Sequence, residues 1–97
     1  MEGIDRDLTT PELIEAGYDP VEAEKLDALR ERAHRFGGRV RVQRRGEALG
    51  KQRYAFVVDL DPQGPHRLQS SEEQQAYGNY ADAEQHVIAL EKRYGAV

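Results

Sequence analysis

The sequence predicts an α+β fold, a two-layer sandwich, on three observations. Residues 20–36 and 80–94 each repeat apolar side chains at the three-and-four spacing of one helical face, while residues 39–60 alternate with the period of two that strands require. Only one face of the resulting hairpin is apolar enough for helices to cover it. The expected order is a short helix, a long helix, an antiparallel β-hairpin with a weakly patterned third strand, and a C-terminal helix.

Thr10-Pro11-Glu12 opens the short helix, with the Thr10 hydroxyl as cap and proline where its missing N–H costs nothing. It runs to about Ala16 and stops at Gly17. Asp19-Pro20-Val21-Glu22 repeats the signal, with Glu22 at the capping-box position. The long helix from Pro20 carries Leu26, Leu29, Ala33 and Phe36 on one face and ends at Gly37-Gly38. Val40 and Val42 then alternate with Arg39, Arg41 and Gln43. Tyr54, Phe56, Val58 and Leu60 alternate with Arg53, Ala55, Val57 and Asp59. The connection, Gly46 to Lys51, reads as longer than a two-residue turn, with a mobile tip.

Asp61-Pro62-Gln63-Gly64 has turn chemistry, and His66 to Gln69 is the candidate third strand. Ser70 is expected to open a helical turn over Ser71 to Tyr77, closed by Gly78. Asn79 caps the last helix, whose face is Tyr80, Ala83, Val87, Leu90 and Tyr94, widened by Ile88. The predicted core is Leu26, Leu29, Phe36, Val42, Phe56, Val58, Val87 and Leu90.

At 97 residues the chain is read as one domain, with 1–9 a flexible tail. Leu, Ile, Val and Phe total 20 and charged residues reach 33%, so the core is thin. Without cysteine there is no disulfide framework and no thiolate metal site. No apolar run is long enough for a membrane span or a signal core, so the expectation is a soluble, cytoplasmic chain with no membrane partner.

Charge is strongly segregated. Residues 1–29 carry a net −7, residues 30–53 a net +7 and residues 54–97 a net −4, which a total of −4 conceals. If Val40 and Val42 point inward, Arg39, Arg41 and Arg45 project from the opposite face beside Arg53, with Arg44 and Lys51 further along the hairpin. Guanidinium forks match phosphate and carboxylate oxygens two at a time, so the binding residues expected are Arg39, Arg41, Arg44, Arg45, Lys51 and Arg53. Tyr77 is added as an interface tyrosine. The bland alternative is a solvated outer face that balances the acidic helices. Ala55 and Val57 on that face point to partial cover, by the N-terminal segment, a second copy or a partner.

Catalytic chemistry is poorly supplied. His34, His66 and His86 lack metal-ligand spacing, Asp59 and Asp61 offer too few oxygens for a hard cation, and Ser70 is explained as a cap. The glycines at 37, 38, 46 and 50 precede strands, so they form no phosphate cradle. No catalytic residue, metal site or cofactor is expected. The function expected is that of a small non-enzymatic regulatory or inhibitor-type protein, similar in style to phage-encoded modulators, binding a protein partner by charge complementarity. A nucleic-acid-binding module using the basic hairpin is the alternative, weakened because Tyr54 and Phe56 fall on the core face and leave no stacking platform. Homodimerisation is left open.

The order helix, strand, strand, weak strand, helix over residues 20–94 resembles a double-stranded RNA-binding domain in topology. That family grips phosphates with lysines at the start of its last helix. The matching stretch here, Asn79-Tyr80-Ala81-Asp82-Ala83-Glu84, has two acids and no cation, so RNA binding does not carry over. Gly38 to Tyr94 is also similar to the arm-binding domains of phage integrases, through Tyr80, Asp82 and Ala83 at the last helix.

Overall fold

The computed structural model describes residues 7–95, with Ala48, Lys51 and Gln52 described by their backbone alone. The α+β expectation holds. The elements are α1 (Thr10–Glu15), α2 (Pro20–His34), β1 (Gly38–Ala48), β2 (Lys51–Leu60), a 3-10 turn (Arg67–Gln69), α3 (Ser70–Glu73), β3 (Gln75–Tyr77) and α4 (Tyr80–Tyr94). The strands form one antiparallel sheet in the order β1-β2-β3.

Both early helices begin at capping residues, α1 one position earlier than predicted. Thr9 is its cap: the Thr9 hydroxyl accepts from the Glu12 N–H and the Glu12 carboxylate accepts from the Thr9 N–H. Pro11 is then second in the helix, still among the N–H groups that need no helical partner. Asp19 caps α2 by accepting from the Val21 N–H. Glu22 does not complete a capping box there, because it accepts instead from the Tyr18 hydroxyl at 2.8 Å.

The core gathers all eight predicted residues and adds Leu8, Leu13, Ala33, Val40, Leu60 and Ala83. Leu8 overturns the expectation of a free tail through residue 9. Its side chain is buried, and its N–H donates to the Val42 carbonyl at 2.8 Å. Residues 1–6 of that tail lie outside the described residues.

That contact also covers the outer edge of β1 around Val40 and Val42. The Val42 N–H donates to the Asp7 carboxylate at 2.9 Å, and Arg30 of α2 donates to Asp7, to the Leu8 carbonyl and to the Val40 carbonyl. Strand groups that water would otherwise hold, or another strand would seek, are answered within the chain.

The third strand is not where the pattern placed it. Residues 67–69 form a 3-10 turn, and the segment expected to be helical through Tyr77 is helical only to Glu73. Gln75–Tyr77 instead pair with Val58–Phe56. A central strand leaves one row of N–H and C=O groups unpaired, and meeting that need outweighs weak local helix propensity over three residues.

The hairpin is also longer and tighter than expected. The strands close on a two-residue turn, Leu49-Gly50, both at positive φ (54° and 77°). The length mismatch is absorbed by a bulge: Arg44 pairs with Tyr54 and Glu47 with Gln52, leaving Arg45 and Gly46 opposite Arg53, with Gly46 at φ 94°. Leucine in the left-handed region is strained, and this side chain is fully exposed, so nothing offsets the strain. Leu49→Asn should therefore stabilise the fold by about 1 kcal/mol, raising the melting temperature by roughly 4–8 °C in calorimetry.

Candidate functional site

The outer sheet face is built by β1 and β2. Alternation places Arg39, Arg41 and Gln43 on it, as predicted, opposite Asp59, Val57 and Ala55. The chemistry differs from an open arginine patch. Asp59 is only 3% exposed, and it accepts two hydrogen bonds from Arg39, at 2.7 and 3.0 Å, and one from Arg41 at 3.2 Å. Arg39 is directly across the ladder from Asp59 and Arg41 one step along it, the cross-strand geometry in which opposite charges meet. Two of the predicted binding arginines thus serve a buried carboxylate. Val57 and Ala55 are buried beside them.

Arg45 donates to the Gln43 side chain at 2.9 Å, and Gln43 is itself buried. Beyond Gln43 the hairpin leaves the core, and Arg44, Arg45, Gly46, Glu47, Leu49, Gly50 and Arg53 are all exposed. Lys51 begins β2 in this region, its side chain lying outside the described ones. The six basic residues singled out from the sequence therefore divide. Arg39 and Arg41 are tied to Asp59 on the outer sheet face, while Arg44, Arg45 and Arg53 stand exposed around the distal hairpin.

Tyr77 is placed elsewhere. It is half-buried against the core, with its ring edge-on to His86 and its hydroxyl 3.0 Å from His86 Nδ1. Burial lowers the His86 pKa from its usual 6.5. The unfolded chain thus binds this proton more readily than the folded one. The contribution of His86 is complete above pH 6.5 and is lost as pH falls through its lower folded value. Urea midpoints should decline from pH 7 to pH 5, and His86→Gln should flatten that decline.

Two hollows flank α4. The larger, about 510 Å³, lies between α2 and α4 and is lined by Lys25, Ala28, Leu29, Arg32, Tyr80, Ala81 and Glu84. The helices beside it are tied by a forked pair from Arg32 to Glu91 at 2.6–3.1 Å, which holds the Glu91 carboxyl below its usual range. The smaller, about 270 Å³, is lined chiefly by Tyr18, Tyr54, Phe56 and Tyr80, with Glu22 and Arg53 also on its wall. Tyr18 meets Tyr54 edge to face at 5.4 Å, and burial together with Glu22 pushes the Tyr18 hydroxyl far above its ordinary pKa.

Other chemistry-bearing residues have structural partners. Asp61 accepts from the Gln63 N–H in the turn, and His66 packs at a tilt against Tyr94 with ring centres 4.8 Å apart. Among the described residues, no three histidine, aspartate or glutamate side chains converge as metal ligands, and no helix is long and apolar enough to cross a membrane. Sequence reasoning missed the Arg39–Asp59–Arg41 cluster and the small aromatic hollow. The first was within reach of the pattern, since any register placing Val42 opposite Phe56 also sets Arg39 against Asp59. No protein-family model, curated protein or solved structure matches this chain.

Proposed function

We propose that this is a small non-enzymatic protein of regulatory or inhibitor type, which binds an acidic surface of another protein through its distal hairpin. The supporting observation is the arrangement of that hairpin. It leaves the core beyond Gln43, is shaped by a bulge and a two-residue turn, and carries exposed Arg44, Arg45 and Arg53 around a fully exposed Leu49. A hairpin fixed by its own turn loses little entropy on docking. An apolar tip among arginines offers an anchor with a charged surround, the composition of a contact centre and its rim.

A partner surface with a shallow apolar recess bordered by carboxylates complements this tip. Direct nucleic-acid binding is less well supported, because Arg39 and Arg41 are engaged by Asp59 and the aromatic rings lie on the helix side of the sheet. The test compares the native chain with Arg44→Glu/Arg45→Glu as bait in its host lysate, with and without nuclease, followed by association kinetics on the captured protein. Nuclease-resistant capture is expected, with association at least about tenfold slower for the double variant and less sensitive to salt. Nuclease-sensitive capture, or micromolar affinity for random duplex abolished by the same substitutions, would establish the nucleic-acid reading instead.

A further inference from the structure

The central strand β2 is paired by β1 at every position but Arg53, which faces the bulge, whereas on its other side only Phe56, Val57 and Val58 are matched by β3. The direction of its remaining backbone groups follows from the covered edge of β1. Val42 spends its N–H and C=O on Asp7 and Leu8, away from β2, so the facing Phe56 turns its own towards β3. Alternation by two sends the N–H and C=O of Tyr54 the same way. There the chain has already left the sheet: Gly78 and Asn79 would be next in line, but Asn79 turns to cap α4 through the Asp82 N–H. Among the described residues, no backbone group answers Tyr54 on that side.

This notch opens beside the aromatic hollow formed by Tyr18, Tyr54, Phe56 and Tyr80, and the Tyr54 hydroxyl is buried without a hydrogen-bond partner. An unpaired strand edge next to a ring-lined recess is the pattern by which sheets take up extended peptides: ladder bonds hold the backbone and alternate side chains fill pockets. We infer that the notch receives an extended segment of the protein partner, added as a short strand beside Tyr54. One apolar side chain enters the hollow, and acidic neighbours lie beside exposed Arg53. The anchor is apolar because the rings of Tyr18, Tyr54, Phe56 and Tyr80 form one half of the lining. Its neighbours are acidic because exposed Arg53 stands next to Tyr54 on the strand, at the rim of the hollow. The inference rests on the protein-binding reading above and specifies what the partner presents.

The experiment is selection of a random-peptide display library on the full chain, followed by affinity measurements with the selected peptides made synthetically. Enrichment of an apolar residue flanked by aspartate or glutamate is expected. N-methylation of the peptide's ladder amide should weaken binding at least tenfold. Gly78→Leu, which adds a side chain at a glycine that lines the hollow, should do the same without lowering the melting temperature, because a Cβ there meets no atom within 4 Å. Arg53→Glu should weaken binding and remove its salt dependence.

Selection of peptides without this pattern, or binding indifferent to both N-methylation and Gly78→Leu, would overturn the assignment. So would a dimer in sedimentation that Gly78→Leu dissolves, since a second copy would then occupy the edge. If charge reversal at Arg44 and Arg45 slows capture of the partner while Gly78→Leu leaves it unchanged, the notch assignment alone falls. If charge reversal has no effect, the hairpin reading falls first.

Discussion

Phe56→Ala should lose about 3–5 kcal/mol of folding stability, close to half of the roughly 5–10 expected for a domain of this size. Phe56 sits mid-strand in β2, with Val42 across the ladder on one side and Tyr77 on the other, and its ring is 6.3 Å from that of Tyr18. Truncation opens a cavity bordered by strands on both sides, where the backbone ladder resists collapse. Leu90→Ala, on the face of α4 that meets the sheet, should cost about 2–5 kcal/mol for the same reason. Leu68→Ala, at a position 80% exposed, should stay within about half a kcal/mol. Urea unfolding midpoints check all three, and an unchanged midpoint for Phe56→Ala would show that the inner sheet face is not the core.

The second large effect belongs to Asp59. Replacing Arg39 and Arg41 together by methionine leaves its carboxylate buried with neither of its cations, and should cost about 3–5 kcal/mol. Arg41→Met alone should cost less, since Arg39 keeps both of its bonds to the carboxylate. Adding Asp59→Leu to the double variant should recover most of the loss, because an all-apolar cluster leaves no charge stranded. Calorimetry of the four proteins decides the matter: a double variant as stable as the native chain would mean that Asp59 is adequately hydrated without its arginines.

How far the sequence was legible depends on the range over which each feature is determined. Leu26, Leu29, Phe36, Val87 and Leu90 announce themselves by helical spacing, and Val42, Phe56 and Val58 by alternation, because each pattern is local. Leu8 carries no such mark, since its burial depends on an edge bond to Val42, 34 positions away. The third strand was misplaced because Gln75–Tyr77 are strand only by virtue of facing β2. The outer arginines were on the right face. Their charge was misjudged because Asp59 was weighed as a ligand for a hard cation rather than by what lies across the ladder.

The turn shows the same limit in smaller compass. Leu49-Gly50 lacks the asparagine that marks the tight hairpin class, so register and the bulge at Gly46 had to settle it together. The aromatic hollow, assembled from α1–α2, β2 and the start of α4, has no linear signature at all.

The two borders of the sheet are unequal, and this bears on polymerisation. Asp7, Leu8 and Arg30 occupy the β1 border of the core, while the β2 border beside Tyr54 is open. Fibrous growth by sheet extension requires every added molecule to offer a fresh border to the next. Two copies meeting through their open β2 borders would form a closed two-fold pair, and growth beyond that pair would fall to the three-residue outer edge of β3 or to the hairpin beyond Val42.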